Sequence, residues 1–72
     1  MRVDIRSYTR VIIRKDGEYL VGREMLGKTL KWSTSPWDAW WTRDMETARK
    51  MAKELGGIAV LFNPIIGKTK VL

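Results

Sequence analysis

The dipeptide Asp16-Gly17 lies between two runs of strand-forming residues, and it constrains the fold more than any other local feature of the chain. Asp-Gly suits the positive φ angles of a two-residue hairpin turn. If these two residues form the turn, the register pairs Lys15 with Glu18, Arg14 with Tyr19, Ile13 with Leu20, Ile12 with Val21, and Arg10 with Arg23. We therefore predict a β-hairpin over residues 10 to 23.

In this register, Arg10 lies opposite Arg23. Two facing guanidinium groups repel each other unless an acid or a ligand phosphate lies between them, which makes the pair a candidate anion-binding site. The alternative is that Glu24, Asp4 or solvent neutralises the repulsion. The sequence leaves both interpretations open.

The N-terminal run alternates aliphatic residues with arginines. A period of two places Val3, Ile5, Val11 and Ile13 on one face and Arg2, Arg6, Arg10 and Arg14 on the other. This pattern indicates a strand with a basic outer face. The run is longer than an ordinary strand, so we expect a break near Ser7, with residues 1 to 7 forming a loose arm.

The rest of the chain predicts one helix and further strands. Leu30 to Ser33 reads as a third strand, Ser35 and Pro36 open a helical turn, Thr42 or Asp44 starts an amphipathic helix that ends at Gly56-Gly57, Ile58 to Phe62 is a buried strand, and Gly67 to Leu72 can add an edge strand. The predicted fold class is α+β. A small, mostly antiparallel sheet of order β-β-β-α-β, with or without a final strand, would carry the helix on one face.

The length and composition of the chain limit the kinds of reaction and binding site that it can support. The 72 residues suit a single small domain, and they include no cysteine and no histidine. Disulfides, thiolate ligands and a histidine base are therefore excluded, and we predict no cofactor, no metal site and no catalytic residue. Glu24 and Asp38 could share a magnesium ion, but nothing in their spacing supports that interpretation. The absence of cysteine favours a cytoplasmic protein. The longest uninterrupted apolar run is Ile58 to Phe62, so we expect no membrane contact.

Gly22 to Thr29 satisfies the phosphate-loop expression G-x-x-x-x-G-K-[ST]. That motif works by placing backbone amides and a lysine at the start of a helix. Here the following residues, Leu30 to Pro36, are poor helix formers. We therefore expect the match to be fortuitous, and nucleotide hydrolysis is disfavoured.

Four tryptophans, Trp32, Trp37, Trp40 and Trp41, lie within ten residues of one another. Such large side chains can fill the core of a tiny domain, and we expect Trp32 and Trp41 to do so. Trp37 and Trp40 flank Asp38 in a proline-containing turn. We expect these two to be partly exposed, where they could stack on a base or anchor a protein partner.

The chain has a net charge of +6, with fourteen Lys and Arg against eight Asp and Glu. Such a balance attracts polyanions, although it can also serve solubility alone. Arginine suits phosphate contacts and base stacking better than lysine does. The predicted nucleic-acid or acidic-partner contacts are Arg6, Arg10, Arg14, Arg23 and Lys31, and the predicted stacking or hot-spot anchors are Tyr8, Tyr19, Trp37 and Trp40.

The run from Trp32 to Trp40, followed by Thr42-Arg43-Asp44, Ala48 and Gly56-Gly57, resembles small proteins encoded in phages and prophages of Gram-positive bacteria. In that group a hairpin precedes a Trp-Ser strand, an Ala-rich helix and a strand bounded by Gly-Gly. The resemblance covers most of the chain, from residue 8 to residue 62. It implies a fold and a phage origin, with a bacterial host cell as the location, and it brings no catalytic residues.

These observations together predict a non-enzymatic, phage-type accessory binding protein that occupies a nucleic-acid or nucleoprotein surface. An inhibitor of a bacterial anti-phage defence complex, similar to an anti-CRISPR, is one concrete version. The alternative is a protein-only partner binder, for a host protein, or a homodimer that uses exposed tryptophans and an edge strand. An enzyme ranks third, and the sequence does not decide between a monomer and a homodimer.

Overall fold

The computed structural model of the chain describes residues 10–23 and 30–71. Its elements are β1 (Arg10–Lys15), β2 (Glu18–Arg23), β3 (Leu30–Ser33), a short 3₁₀ turn (Pro36–Asp38), α1 (Met45–Leu55), β4 (Ile58–Asn63) and β5 (Lys68–Val71). The strands form one antiparallel sheet of order β3-β2-β1-β4-β5. The predicted α+β fold, including the final edge strand, is confirmed. The predicted arm, residues 1 to 7, lies outside the described residues.

The hairpin turn forms at the predicted dipeptide. Asp16 and Gly17 both have positive φ angles, 51° and 78°. The pairs next to the turn are Arg14 with Tyr19 and Lys15 with Glu18, as the Asp-Gly register requires. This part of the hairpin prediction is confirmed.

Farther from the turn, β1 and β2 are bridged by another part of the chain. The Trp40 amide donates to the Leu20 carbonyl of β2 at 2.8 Å. Thr42 exchanges two backbone hydrogen bonds with Val11 of β1, at 2.8 and 3.0 Å. The backbone groups that Val11 would offer to Gly22 in a longer hairpin are therefore already used. The prediction that the ladder continues to Arg10 opposite Arg23 is wrong for this reason.

The helix α1 has the expected ends. The Asp44 side chain accepts a hydrogen bond from the Glu46 amide at 3.1 Å, which makes Asp44 the N-cap. Gly56 follows the last turn with a left-handed φ of 73°, and its amide donates to the carbonyls of Ala52 and Lys53. Ala48 and Ala52 are buried, so the helix packs closely against the sheet through small side chains.

Both faces of the sheet contain buried residues. Under α1, the core consists of Val11, Ile13, Leu20, Ala48, Ala52 and Ala59. On the opposite face, a second cluster contains Ile12, Ala39, Val60 and Phe62 with Tyr19 packed against it. Ile12 is completely buried there, although it shares this face of β1 with Arg10 and Arg14, each two residues away. The arginine side of β1 is thus not the wholly basic outer face that the alternation predicted.

Candidate functional site

The face of the sheet opposite α1 carries arginines and aromatic residues together, and we call it the open face because it is the side away from the helix. Its centre is buried, since Ala39 and Trp37 pack over it. Directly opposed residues of antiparallel strands lie on the same side of a sheet. Arg10 is opposed to Phe62, and Arg14 is opposed to both Tyr19 and Ile58. Both arginines are partly exposed, so β1 presents two guanidinium groups around the buried Ile12.

Arg10 stacks on Trp41. Its guanidinium carbon lies 4.8 Å from the centroid of the indole ring, within the range of a cation–π interaction. Trp41 retains 40% of its surface in contact with solvent. The pair therefore places a positive charge and an accessible aromatic ring side by side.

Trp37 is held in a fixed position at the β4–β5 end of the open face. Its indole Nε1 donates to the Pro64 carbonyl at 3.1 Å, and its ring meets Phe62 edge-on with centroids 5.4 Å apart. A Cβ atom added at Gly67 would lie 2.6 Å from Cζ2 of the Trp37 ring, so the ring lies directly against the Gly67 backbone. Trp37 is nevertheless 55% exposed. A ring that is both fixed and accessible can bind a ligand at little cost in side-chain entropy.

The neighbouring Trp40 and Trp41 lie on opposite faces of the sheet. The segment that bridges β1 and β2 is extended, so its successive side chains alternate. Trp40 packs with the core under α1, whereas Trp41 stacks with Arg10 on the open face. The expected burial of Trp41 is therefore wrong, since Trp41 is exposed. Trp40 is partly exposed, as expected, but it packs with the core and does not lie on the open face. The expectations for the other two were correct, since Trp32 packs against the core and Trp37 is exposed.

Lys31 adds a third positive charge to the open face. Its neighbours Leu30 and Trp32 pack against the core under α1, so the intervening side chain points to the opposite side. Asp38, exposed in the 3₁₀ turn, is an acid near this end of the face and accepts a hydrogen bond from the Ser33 hydroxyl at 3.4 Å. Arginine and lysine therefore outnumber acids among the described residues placed on the open face.

Five of the nine predicted contact residues can be placed on the open face. Arg10, Arg14, Lys31, Tyr19 and Trp37 share it, and Trp40 lies on the opposite face. Arg6 and Tyr8 lie outside the described residues, as does the side chain of Arg23. Trp41 was missed, although the adjacent pair Trp40-Trp41 carried a signal, since an extended segment sends two neighbouring side chains to opposite faces.

The phosphate-loop match at Gly22 to Thr29 leads into a strand. Gly22 belongs to β2, residues 24–29 lie outside the described part, and Leu30–Ser33 forms β3. The helix N-terminus on which such a motif depends is therefore not formed by the residues that follow it. Glu24, the other half of the magnesium interpretation, lies in the same undescribed stretch.

Within residues 10–23 and 30–71, no cluster of three or more acidic, histidine or cysteine side chains could hold a metal ion. No helix in that part of the chain has the length and apolar character needed to cross a membrane.

The turn between β4 and β5 exposes two isoleucines. Asn63 is buried and its side-chain oxygen accepts from the amides of Ile65 and Ile66, at 2.9 and 3.4 Å. The turn is thereby closed, and it holds Ile65 at 77% exposure beside the partly exposed Ile66. This apolar tip lies next to Trp37 through the contacts of Pro64 and Gly67.

Comparison with known proteins gives no match: no family model fits the chain, and neither a curated protein nor a solved structure resembles it significantly.

Proposed function

We propose that the protein is a non-enzymatic binding module that occupies a nucleic-acid or nucleoprotein surface with its open face. The observation that carries the proposal is the grouping of Arg10 and Arg14 with Tyr19 and Trp41 on the side of the sheet away from α1. Guanidinium groups bind phosphates through charge-assisted hydrogen bonds, and aromatic rings stack on bases.

The charge of the whole chain supports this proposal. A net charge of +6 attracts a polyanion from a distance, and the open-face cations give it a defined place to bind. Three phosphate contacts, one each for Arg10, Arg14 and Lys31, would make the affinity fall about 20-fold for a single strand and about 40-fold for a duplex between about 50 and 200 mM salt. A surface whose charge serves only solubility would show no saturable binding.

The test is a titration of labelled oligonucleotides with the wild-type protein and two variants of equal charge. One carries Arg10→Glu and Arg14→Glu on the open face, and the other carries Arg49→Glu and Lys50→Glu on the exposed side of α1. Each variant lowers the net charge of +6 by four. Non-specific attraction would therefore weaken equally in both.

We expect the open-face variant to lose at least about tenfold in affinity, and its residual salt dependence to fall to about threefold over the same range. The α1 variant should bind within about threefold of the wild type. Circular dichroism and thermal unfolding confirm that each variant is folded. Equal losses in the two variants, or no wild-type binding at low salt, would contradict the proposal.

Protein-only association is the second candidate, and the exposed apolar tip favours it. Ile65 and Ile66 lie beside Trp37, and aromatic and apolar side chains of this kind anchor protein interfaces. Sedimentation velocity over a range of concentrations tests the homodimer version. Self-association that persists in high salt and is lost in the variant Ile65→Ser/Ile66→Ser would support it, and a monomer at all concentrations would exclude it.

A further inference from the structure

We infer that the ligand of the open face is a single-stranded nucleic acid whose unpaired bases stack on the exposed aromatic rings. The inference rests on the proposed function and specifies the class of nucleic acid. It follows from the shape of the face, from the pairing of rings with cations, and from the fixed position of Trp37.

The shape of the open face does not suit a duplex groove. Five strands about 4.8 Å apart span roughly 19 Å, whereas the major groove of B-form DNA is about 12 Å wide and admits a helix or a two-stranded ribbon. The helix α1, which could enter such a groove, packs on the other face of the sheet. The centre of the open face is packed with Ala39 and Trp37, so the surface available to a ligand is a set of exposed rings and cations. Such a surface suits bases that are splayed out of a helix.

Two ring-and-cation pairs lie along β1. Trp41 is covered by Arg10 at one end, and Tyr19 is opposed to Arg14 four residues farther along, about 13 Å away at the rise of a strand. Ile12 lies between them and is fully buried. Ile12 therefore supports the two pairs from beneath and offers no surface to a ligand, while Trp41 and the partly exposed Tyr19 each place a ring beside a guanidinium that can bind the adjoining phosphate.

Trp37 adds a ring that is already ordered. Its indole Nε1 is bonded to the Pro64 carbonyl, so the nitrogen is not needed by a ligand, while more than half of the side chain remains accessible. Stacking tolerates every base because each has a π face. We therefore expect binding with little sequence preference.

The experiment compares single strands with duplexes of the same length on the wild-type protein. Twelve-nucleotide single-stranded DNA and RNA compete against a labelled single strand, and the matching twelve-base-pair duplexes compete in parallel, at about 50 mM salt. A duplex has the higher charge density, so purely electrostatic binding would favour it. We expect the single strand of DNA or of RNA to bind at least about tenfold more tightly than its own duplex.

Two variants test the stacking itself. Trp41→Leu keeps an apolar side chain but removes the ring, and we expect it to weaken single-strand binding about 5- to 100-fold. Trp41→Phe keeps a ring and should restore most of the affinity. Neither substitution changes the charge, so weak duplex binding should stay the same.

The outcomes separate this inference from the proposed function. Duplexes that bind as tightly as single strands, or a Trp41→Leu variant with unchanged single-strand affinity, would overturn the inference and leave polyanion binding in place. Failure of every nucleic acid to bind at low salt would overturn both. The wild-type comparison decides between single strand and duplex even if a Trp41 variant fails to fold.

Discussion

Val11 and Thr42 exchange two backbone hydrogen bonds, and this contact sets the arrangement of the open face. It joins the segment before α1 to β1, at the end of the strand far from the hairpin turn. Because Thr42 is fixed there, the preceding residue Trp41 lies over Arg10. The ring-and-cation pair is thus a consequence of backbone pairing between distant parts of the chain.

The placement of Trp40 and Trp41 on opposite faces predicts different effects of their removal. Trp40→Ala removes a ring that packs with the core under α1, and should lower the free energy of unfolding by about 2 to 3 kcal/mol. Trp41→Ala removes an exposed ring and its cation–π contact with Arg10, at a cost of about 1 kcal/mol.

Urea unfolding followed by far-ultraviolet circular dichroism measures both effects without relying on the tryptophan signal that the substitutions alter. The wild type and Trp40→Phe, which retains a ring in the core, are the matched references. A larger loss for Trp41→Ala than for Trp40→Ala would show that the two rings do not divide between core and surface as described.

Local sequence patterns predicted most of the fold. The Asp16-Gly17 turn, the Asp44 cap and the Gly56 stop each depend on a few neighbouring residues, so the sequence alone located them. The insertion of Thr42 beside Val11 depends on competition between two distant segments for the same backbone groups. No local sequence pattern indicates this competition, so the predicted hairpin ladder is longer than the observed one.

The sequence predicted that arginines and aromatic residues share one face of the sheet, but it did not predict which tryptophan lies there. The residues Arg10, Arg14 and Tyr19 followed from the period-two alternation and the hairpin register, both of which are local. Which of Trp40 and Trp41 lies on the open face depends on how the inserted segment is aligned with its neighbouring strands. The alignment is fixed by the backbone hydrogen bonds of this segment to Leu20 and Val11, and these bonds cannot be inferred from the sequence.

The contact between Gly67 and Trp37 predicts that Gly67→Ala is more damaging than an ordinary substitution in a turn. Gly67 has a left-handed φ of 72°, which costs an alanine about 1 kcal/mol, and its new Cβ would also collide with the fixed indole ring. Gly17→Ala is the matched control, because Gly17 has a similar φ of 78° and no atom within 4 Å of the added Cβ.

We expect Gly67→Ala to lower the free energy of unfolding by about 1 to 3 kcal/mol more than Gly17→Ala does. In the background of Trp37→Leu, that excess should shrink, since the rigid ring is gone. Urea denaturation of the single and double variants measures the coupling. Equal losses of unfolding free energy in the two glycine variants would mean that the Trp37 ring moves aside without loss of stability. Trp37 would then not be held in place by Pro64 and Phe62.

The cap of α1 predicts a loss of stability in acid. The Asp44 carboxylate accepts hydrogen bonds from the Thr47 hydroxyl, at 2.6 Å, and from the Glu46 amide. These bonds, that of Thr47 foremost, lower the pKa of Asp44 below its ordinary value of 3.8, with a smaller contribution from the charge of Lys50. Since the folded-state pKa is lowered, the stabilisation is present above pH 3.8 and is lost as the pH falls through the lowered pKa.

Asp44→Asn provides the test, because asparagine can still cap the helix but cannot titrate. At neutral pH, we expect the thermal midpoint to fall in the order wild type, Asp44→Asn, Asp44→Ala, as first the charge at the helix N-terminus and then the capping oxygen is removed. Below the lowered pKa, the wild type should lose its advantage over Asp44→Asn, because its carboxyl is then also neutral. Thermal unfolding from pH 7 to strongly acidic pH, followed by circular dichroism, measures the gap between the two proteins. A gap that stays constant over that range would show that the Asp44 charge does not stabilise the folded state, and that the cap acts through its hydrogen bonds alone.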